Sequence, residues 1–245
     1  MKKITTIFIL LLLPIFLFSD YPDGNELLQK ADENSYSNSI ISSSQMVVQG
    51  RRTSRTIKLR SWKQGENSFS EYLDPPRERG IKMLKLDDKL WIYEPSSDRT
   101  IQISGHMLRQ SVMGSDLSYE DMMEETELHN AYSATTVGEE TIEERNCWVL
   151  ELKAITSDAP YETRKLWLDK ERMIGLKEEL YAKSGKLLKM TEITEVQKVE
   201  ERWYPRKIVF KDMLKKGKGT ILILDEIVLD ADIPPSKFSK SGLRN

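Results

Sequence analysis

One cysteine and two histidines are all that 245 residues contain, and that scarcity removes several classes of protein at the start. Cys147 has no partner for an internal disulfide, so stability must come from an apolar core. Its place in the run Cys147-Trp148-Val149-Leu150 reads as a small buried hydrophobe. His106 and His129 have no second histidine or cysteine at metal-ligand spacing, so no metal site is expected. The pattern Gly-x-Ser-x-Gly is missing and no glycine-rich phosphate loop occurs. A serine nucleophile would also need a general base, and none is signalled. Basic and acidic residues, 37 and 39 in number, are interspersed, which leaves no concentrated positive field for nucleic acid. The chain is therefore read as a non-enzyme that needs no cofactor and binds no nucleic acid. With 31% charged and 39% hydrophobic residues, it is globular rather than disordered.

What is present begins with an export signal. Met1-Lys2-Lys3 precedes an almost wholly apolar run from Ile4 to Phe18, and polarity returns at Ser19-Asp20-Tyr21-Pro22. Positive, apolar and small residues in that order form a secretory signal peptide. The alternative is a membrane anchor, but the run falls short of the roughly 20 residues of a bilayer span and contains Pro14. Cleavage is expected after Ser19, giving a signal peptide at 1–19 and one domain at 20–245. No cysteine follows the cleavage point, so the mature protein is expected to be free of a lipid anchor. Losing Lys2 and Lys3 takes the net charge from −2 to −4.

The mature chain starts with an amphipathic helix that Asp23 or Asn25 can cap, with Leu27, Leu28 and Ala31 forming its apolar stripe. Strand signals follow: Ser43–Gln49, Thr53–Lys63, Ser68–Leu73, Ile81–Leu86, Lys89–Tyr93 and Thr100–Ile103. Asp87-Asp88 has the length of a two-residue hairpin loop. From Ser104 to about His129 the period turns helical. Met107, Leu108, Val112 and Met113 recur at helical spacing, and Ser118 with Asp121 forms a capping-box pattern before Met122 and Met123. Carboxylates at Asp116, Glu120, Asp121, Glu124, Glu125 and Glu127 read as the solvated side of these helices. Strands then resume near Ser133–Val137, Cys147–Ala154, Glu162–Leu168, Ile174–Tyr181, Leu187–Val199, Trp203–Lys211 and Lys218–Val228. Short connections imply an antiparallel meander, because a parallel sheet would need crossover helices. Trp148, Leu150 and Leu152 alternate with Glu151 and Lys153, as a half-wet strand should. Leu90-Trp91-Ile92-Tyr93 is apolar on both sides and needs cover on both. A curved sheet holding helices in its concavity would supply part of that cover; a solid sandwich is the alternative.

Three blocks resemble the outer-membrane lipoprotein-sorting proteins of the LolA/LolB-like superfamily. They are Tyr72-Leu73-Asp74-Pro75-Pro76-Arg77-Glu78-Arg79-Gly80, Leu90-Trp91-Ile92-Tyr93-Glu94-Pro95, and Ser104-Gly105-His106-Met107 with Met113-Gly114-Ser115-Asp116-Leu117-Ser118-Tyr119-Glu120-Asp121. The resemblance implies a mainly β fold: an incomplete antiparallel barrel with an N-terminal helix and short lid helices over an apolar cavity. It also implies a periplasmic carrier that takes acylated lipoproteins or lipids from an inner-membrane export complex toward an outer-membrane acceptor. Such a carrier makes transient membrane contact and works as a monomer. A sensor or interaction domain of the same fold, which shuttles nothing, is the second reading.

Acyl burial is worth about 0.8 kcal/mol per CH₂, so a lipid group cannot cross an aqueous gap uncovered. Unbranched methionine suits a lining that must adapt. The expected lipid-facing set is Trp91, Tyr93, Met107, Leu108, Met113, Met122, Met123, Trp148 and Leu150. Gly105 and Gly114 are the expected hinges of the lid.

Overall fold

The computed structural model describes residues 21–50, 52–124, 127–157 and 159–244. The segment read as a signal peptide, 1–19, lies outside them. The first element is α1 (Gly24–Ser35), whose N-cap Asp23 accepts from Asn25 N at 2.8 Å and Glu26 N at 3.1 Å. It buries Leu27 and Leu28.

Thirteen strands among the described residues form one antiparallel sheet. The first meander holds β1 (Ser39–Gln49), β2 (Ser54–Gln64), β3 (Asn67–Asp74), β4 (Lys82–Leu86), β5 (Lys89–Glu94) and β6 (Arg99–Ile103). The second holds β7 (Tyr132–Ile142), β8 (Arg145–Ala154), β9 (Thr163–Asp169), β10 (Gly175–Tyr181), β11 (Leu187–Val199), β12 (Arg202–Asp212) and β13 (Gly219–Leu229). The strand order, β6-β5-β4-β3-β2-β1-β13-β12-β11-β10-β9-β8-β7, joins the meanders through β1 and β13. Asp87, at φ 48°, supports the tight β4–β5 turn, a left-handed conformation that aspartate tolerates.

That order leaves β6 and β7 as the two free edges, and residues 104–131 connect them. The connection comprises 3₁₀ turns at Gly105–Arg109 and Val112–Gly114, then α2 (Tyr119–Met123) and α3 (Leu128–Ala131). It is less helical than its spacing predicts. Met113 at φ 51° and Gly114 at φ 72° break the helical path, and Ser111 and Ser118 form a bridge that doubles the segment back.

The connection also shows that the sheet curls. Its compact stretch from Met113 to Glu124 touches Arg55 on β2 and Arg164 on β9. Six strand spacings separate those strands, roughly 29 Å in a flat sheet. Register confirms that one face meets both covers. Leu150, Leu166, Glu178, Thr191, Phe210 and Thr220 lie side by side across β8 to β13, and Thr220 continues to Val48 on β1. At one end of that row α1 packs with Leu150, Leu152, Leu166 and Leu168. At the other, the 104–131 connection packs with Met46, Ile57, Tyr72, Met83 and Leu90. The result is an open half-barrel with two plugs in its concavity.

The convex face has cores of its own. Cys147, fully buried, sits with Val149, Trp167, Ile174 and Leu176, and burial pushes its thiol pKa up. Phe69, Leu84 and Trp91 are covered by the C-terminal turns Pro235–Phe238 and Ser241–Leu243, which seat Leu243 among them.

Candidate functional site

The connection between the free edges presents Met107, Leu108, Met113, Tyr119, Met122 and Met123 to the concave face. These residues are half-buried, whereas the strand residues beneath them, including Ile57 and Leu90, are closed off from solvent. Ser118 caps α2 and completes its capping box: Asp121 N donates to Ser118 Oγ at 3.4 Å, and Ser118 N donates to Asp121 Oδ2 at 2.6 Å.

Under this lid lies a cavity of about 260 Å³. Leu117 and Met122 form its lid side, and Leu180, Met190, Phe210 and Leu222 form its sheet side. Two wider clefts flank it. One, about 430 Å³, runs past Leu108, Met123, Leu128 and Tyr132. The other, about 530 Å³, opens by Leu117, Lys189 and Lys215.

The structure divides the expected lipid-facing residues into three groups. Met107, Leu108, Met113, Met122 and Met123 come together on the inner side of the lid against Met46, Ile57, Tyr72, Met83 and Leu90, and of the five Met122 lines the cavity of about 260 Å³. Trp148 and Leu150 share the same sheet face but lie under α1. Trp91 and Tyr93 lie on the convex face beneath the C-terminal turns, and this corrects their assignment to the cavity. The cause is the two-residue period of β5: Leu90 and Ile92 point to the lid, so their neighbours point away.

A second correction concerns three carboxylates of the connection, Asp116, Asp121 and Glu124, which are not a solvated helix face, whereas Glu125 lies outside the described residues. Asp116 is buried. It accepts from Thr220 Oγ1 at 2.7 Å and from Asp212 N at 3.0 Å. Asp121 accepts from Tyr161 Oη at 2.5 Å and pairs with Lys189. Glu124 pairs with Arg164, whose side chain is 2% exposed. Burial, reinforced by the Asp121 charge, raises the Tyr161 hydroxyl pKa far above its ordinary value, which keeps it a donor. Arg55 donates to Met113 O at 2.5 Å and to Glu78 Oε1 at 2.8 Å. Lys215 donates to Ser115 O at 2.6 Å. Polar latches thus hold an apolar lid.

Arg164 and Lys189 escaped the sequence reading. The available signal was parity: Arg164 shares its side of β9 with Leu166 and Leu168, a charge where the pattern calls for an inward hydrophobe.

Among the described residues, no cluster of His, Cys, Asp and Glu has the makings of a metal site. His129 instead lies with its Nδ1 2.8 Å from Asp32, tying α3 to α1.

The half-barrel fold is shared with LolA-like proteins of known structure. This chain belongs to the family whose model, described as an uncharacterized protein, matches residues 64–245. An outer membrane lipoprotein-sorting protein domain from Vibrio parahaemolyticus is 22% identical with a TM-score of 0.80, over 91% of this chain and 98% of that one. A LolA superfamily protein from Nitrosomonas europaea is 24% identical with a TM-score of 0.75, over 91% and 100%. A DUF1329 family protein from Desulfovibrio piger is 22% identical with a TM-score of 0.81, over 90% and 97%. No curated protein matches the chain by sequence.

Proposed function

We propose that this protein is a periplasmic carrier, exported by residues 1–19, that binds the acyl chains of lipoproteins or lipids beneath the lid and moves them toward the outer membrane. The observation that carries the reading is the lid itself. A methionine-rich segment joins the two free edges of the half-barrel and covers an apolar concavity.

Size supports a lid that moves. Ordinary small-molecule pockets measure about 300–1,000 Å³, and the cavity of about 260 Å³ falls just below that range. Acyl chains enter when the lid lifts and the flanking clefts join the cavity. Each CH₂ then leaves water for a gain of about 0.8 kcal/mol. The methionines re-pack around chains of different length, because their side chains are unbranched and have three rotatable bonds. The lipid-facing set is Met107, Leu108, Met113, Met122 and Met123 with Met46, Phe210 and Leu222 of the wall. Nothing in this activity calls for bond chemistry.

The test is a double substitution, Met113→Glu with Met122→Glu, which sets two charges where hydrocarbon must lie, a costly burial. The expected outcome is strongly reduced binding of a fluorescent acyl probe with near-native thermal unfolding. Undiminished probe binding by the folded variant would remove the lid from the site.

A further inference from the structure

The lid is held shut by cations that belong to the sheet. Arg164 of β9 is buried, with its guanidinium 4.5 Å from the Tyr132 ring and 5.4 Å from the Tyr161 ring. It donates to Glu178 Oε1 of β10 at 2.9 Å and pairs with Glu124 of the lid. Its Nε has no hydrogen-bond partner among the described residues. Lys189 of β11, also largely buried, pairs with Asp121 and donates to Ser118 Oγ at 3.0 Å, both on the lid. Glu124, Asp121, Glu178 and Lys189 all line the cavity of about 260 Å³.

Lifting the lid carries Asp121 and Glu124 away from Arg164 and Lys189; the sheet keeps Glu178 beside Arg164, Asp212 opposite Lys189 in register and a further cation, Lys211, on the cavity wall. Losing Asp121 and Glu124 leaves the buried Arg164 and Lys189 each short of an ion-pair partner, which is unfavourable because removing one partner of a buried pair leaves a charge uncompensated. An anion arriving with the ligand restores the balance. We propose that Arg164 and Lys189 form a headgroup subsite for an acidic amphiphile, its phosphate or carboxylate bound where Glu124 and Asp121 sit in the closed protein. The lid carboxylates act as built-in competitors. Ligand binding and lid opening are then one equilibrium, driven by the ligand's better affinity for the open state. This subsite rests on the acyl-binding reading above and adds the charge of the ligand to it.

The experiment measures displacement of an uncharged fluorescent acyl probe from the full mature chain by matched pairs: oleate against oleyl alcohol, and lysophosphatidate against monoacylglycerol. The acidic member of each pair is expected to bind roughly tenfold tighter or better, the value of one charge-assisted hydrogen bond. Lys189→Met should cut that preference, the ratio of acidic to neutral affinity within each pair, to about threefold or less, even where loss of the Asp121 latch raises both affinities together. Glu124→Gln with Asp121→Asn should strengthen acidic binding by removing the competitors. Because a nonpolar residue at 164 endangers folding, Arg164→Lys serves as the second variant, and it too should reduce the preference. Inorganic phosphate alone should neither displace the probe nor raise the unfolding midpoint; if it does the latter, the subsite is one for a free anion and the amphiphile assignment falls. Equal affinity for acidic and neutral partners in the unaltered protein, or a preference untouched in both variants, would overturn the subsite and leave the carrier standing. If no amphiphile binds at all, it is the carrier reading that fails.

Discussion

The two covers of the concave face are built on different principles. Under α1, aliphatic side chains close completely: Leu28 is 1% exposed, and Leu150, Leu152 and Leu168 are at 0%. The backbone is equally close. A Cβ on Gly24 would stand 2.7 Å from the Ala134 carbonyl, and Asn25 Oδ1 accepts from Ala134 N at 2.8 Å. The lid, by contrast, lays half-buried methionines on its strands and relies on ion pairs and hydrogen bonds at its margins. Aliphatic jigsaw packing leaves no slack, whereas unbranched methionines can re-pack, and on this side the buried ion pairs carry the cost of separating cover from sheet. One half of the barrel is sealed, and the other is closed.

Core truncations should separate the halves most widely. Leu28→Ala or Leu152→Ala is expected to lose about 3–5 kcal/mol of unfolding free energy, the cost of an uncollapsed cavity. Met107→Ala or Met123→Ala should lose less than about 1.5 kcal/mol, since these side chains are already partly solvated. Denaturant titration of the four variants decides it, and equal losses would abolish the distinction.

Acid should act next, on the α1 half. Asp169 is fully buried and bonded to Arg145 Nε at 2.7 Å and to the N–H groups of Glu171 and Arg172. Burial pushes its pKa up, but Arg145 and those N–H groups outweigh burial and hold it below 3.8. A depressed folded pKa contributes stability that is complete above the unfolded value and lost as pH falls through the folded one. Unfolding free energy should therefore drop below about pH 4, and Asp169→Asn should flatten that drop while costing about 2–3 kcal/mol at neutral pH. A slope unchanged in the variant would assign the acid sensitivity elsewhere.

Gly24→Ala is a smaller perturbation with a specific target. The added methyl meets backbone that cannot swing aside, so about 1–3 kcal/mol should be lost as α1 is pushed off β7. Tyr21, whose ring meets that of Trp148 edge-on at 6.2 Å, should then report the change in Trp148 fluorescence. An unshifted spectrum with full stability would show that the helix docks less closely than its backbone contact implies.

The gentlest comparison needs no substitution. Amide exchange across Met107–Met123 should outpace that of Leu27–Leu28 by an order of magnitude or more, because lids are drawn from the low-stability end of a fold. Matched protection would mean that both plugs are fixed.

The strand series was legible in the sequence, although β7 runs on to Ile142 beyond its expected end at Val137 and β1 begins at Ser39 rather than Ser43. Leu187–Val199 falls where alternation predicted it, the Asp87-Asp88 turn is in place, and the Ser118–Asp121 capping box forms as its spacing required. These features depend on neighbours a few residues away. Trp91 and Tyr93 were misplaced because both faces of β5 are apolar, and periodicity cannot say which one meets the cavity. Asp116, Asp121 and Glu124 were misread for a related reason. Their partners Arg164, Lys189 and Thr220 stand 40 to 104 positions away in sequence.

By itself, then, the sequence determined the antiparallel meanders, the helical break between them and the methionine content of that break, because backbone period and side-chain type are local properties. Tertiary structure alone decided that the break joins two free edges, which face of each strand it covers, and that sheet cations hold its acids. Those outcomes follow from the pairing of β1 with β13, a contact between strands at opposite ends of the strand series, which curls one sheet until its distant strands face a common hollow.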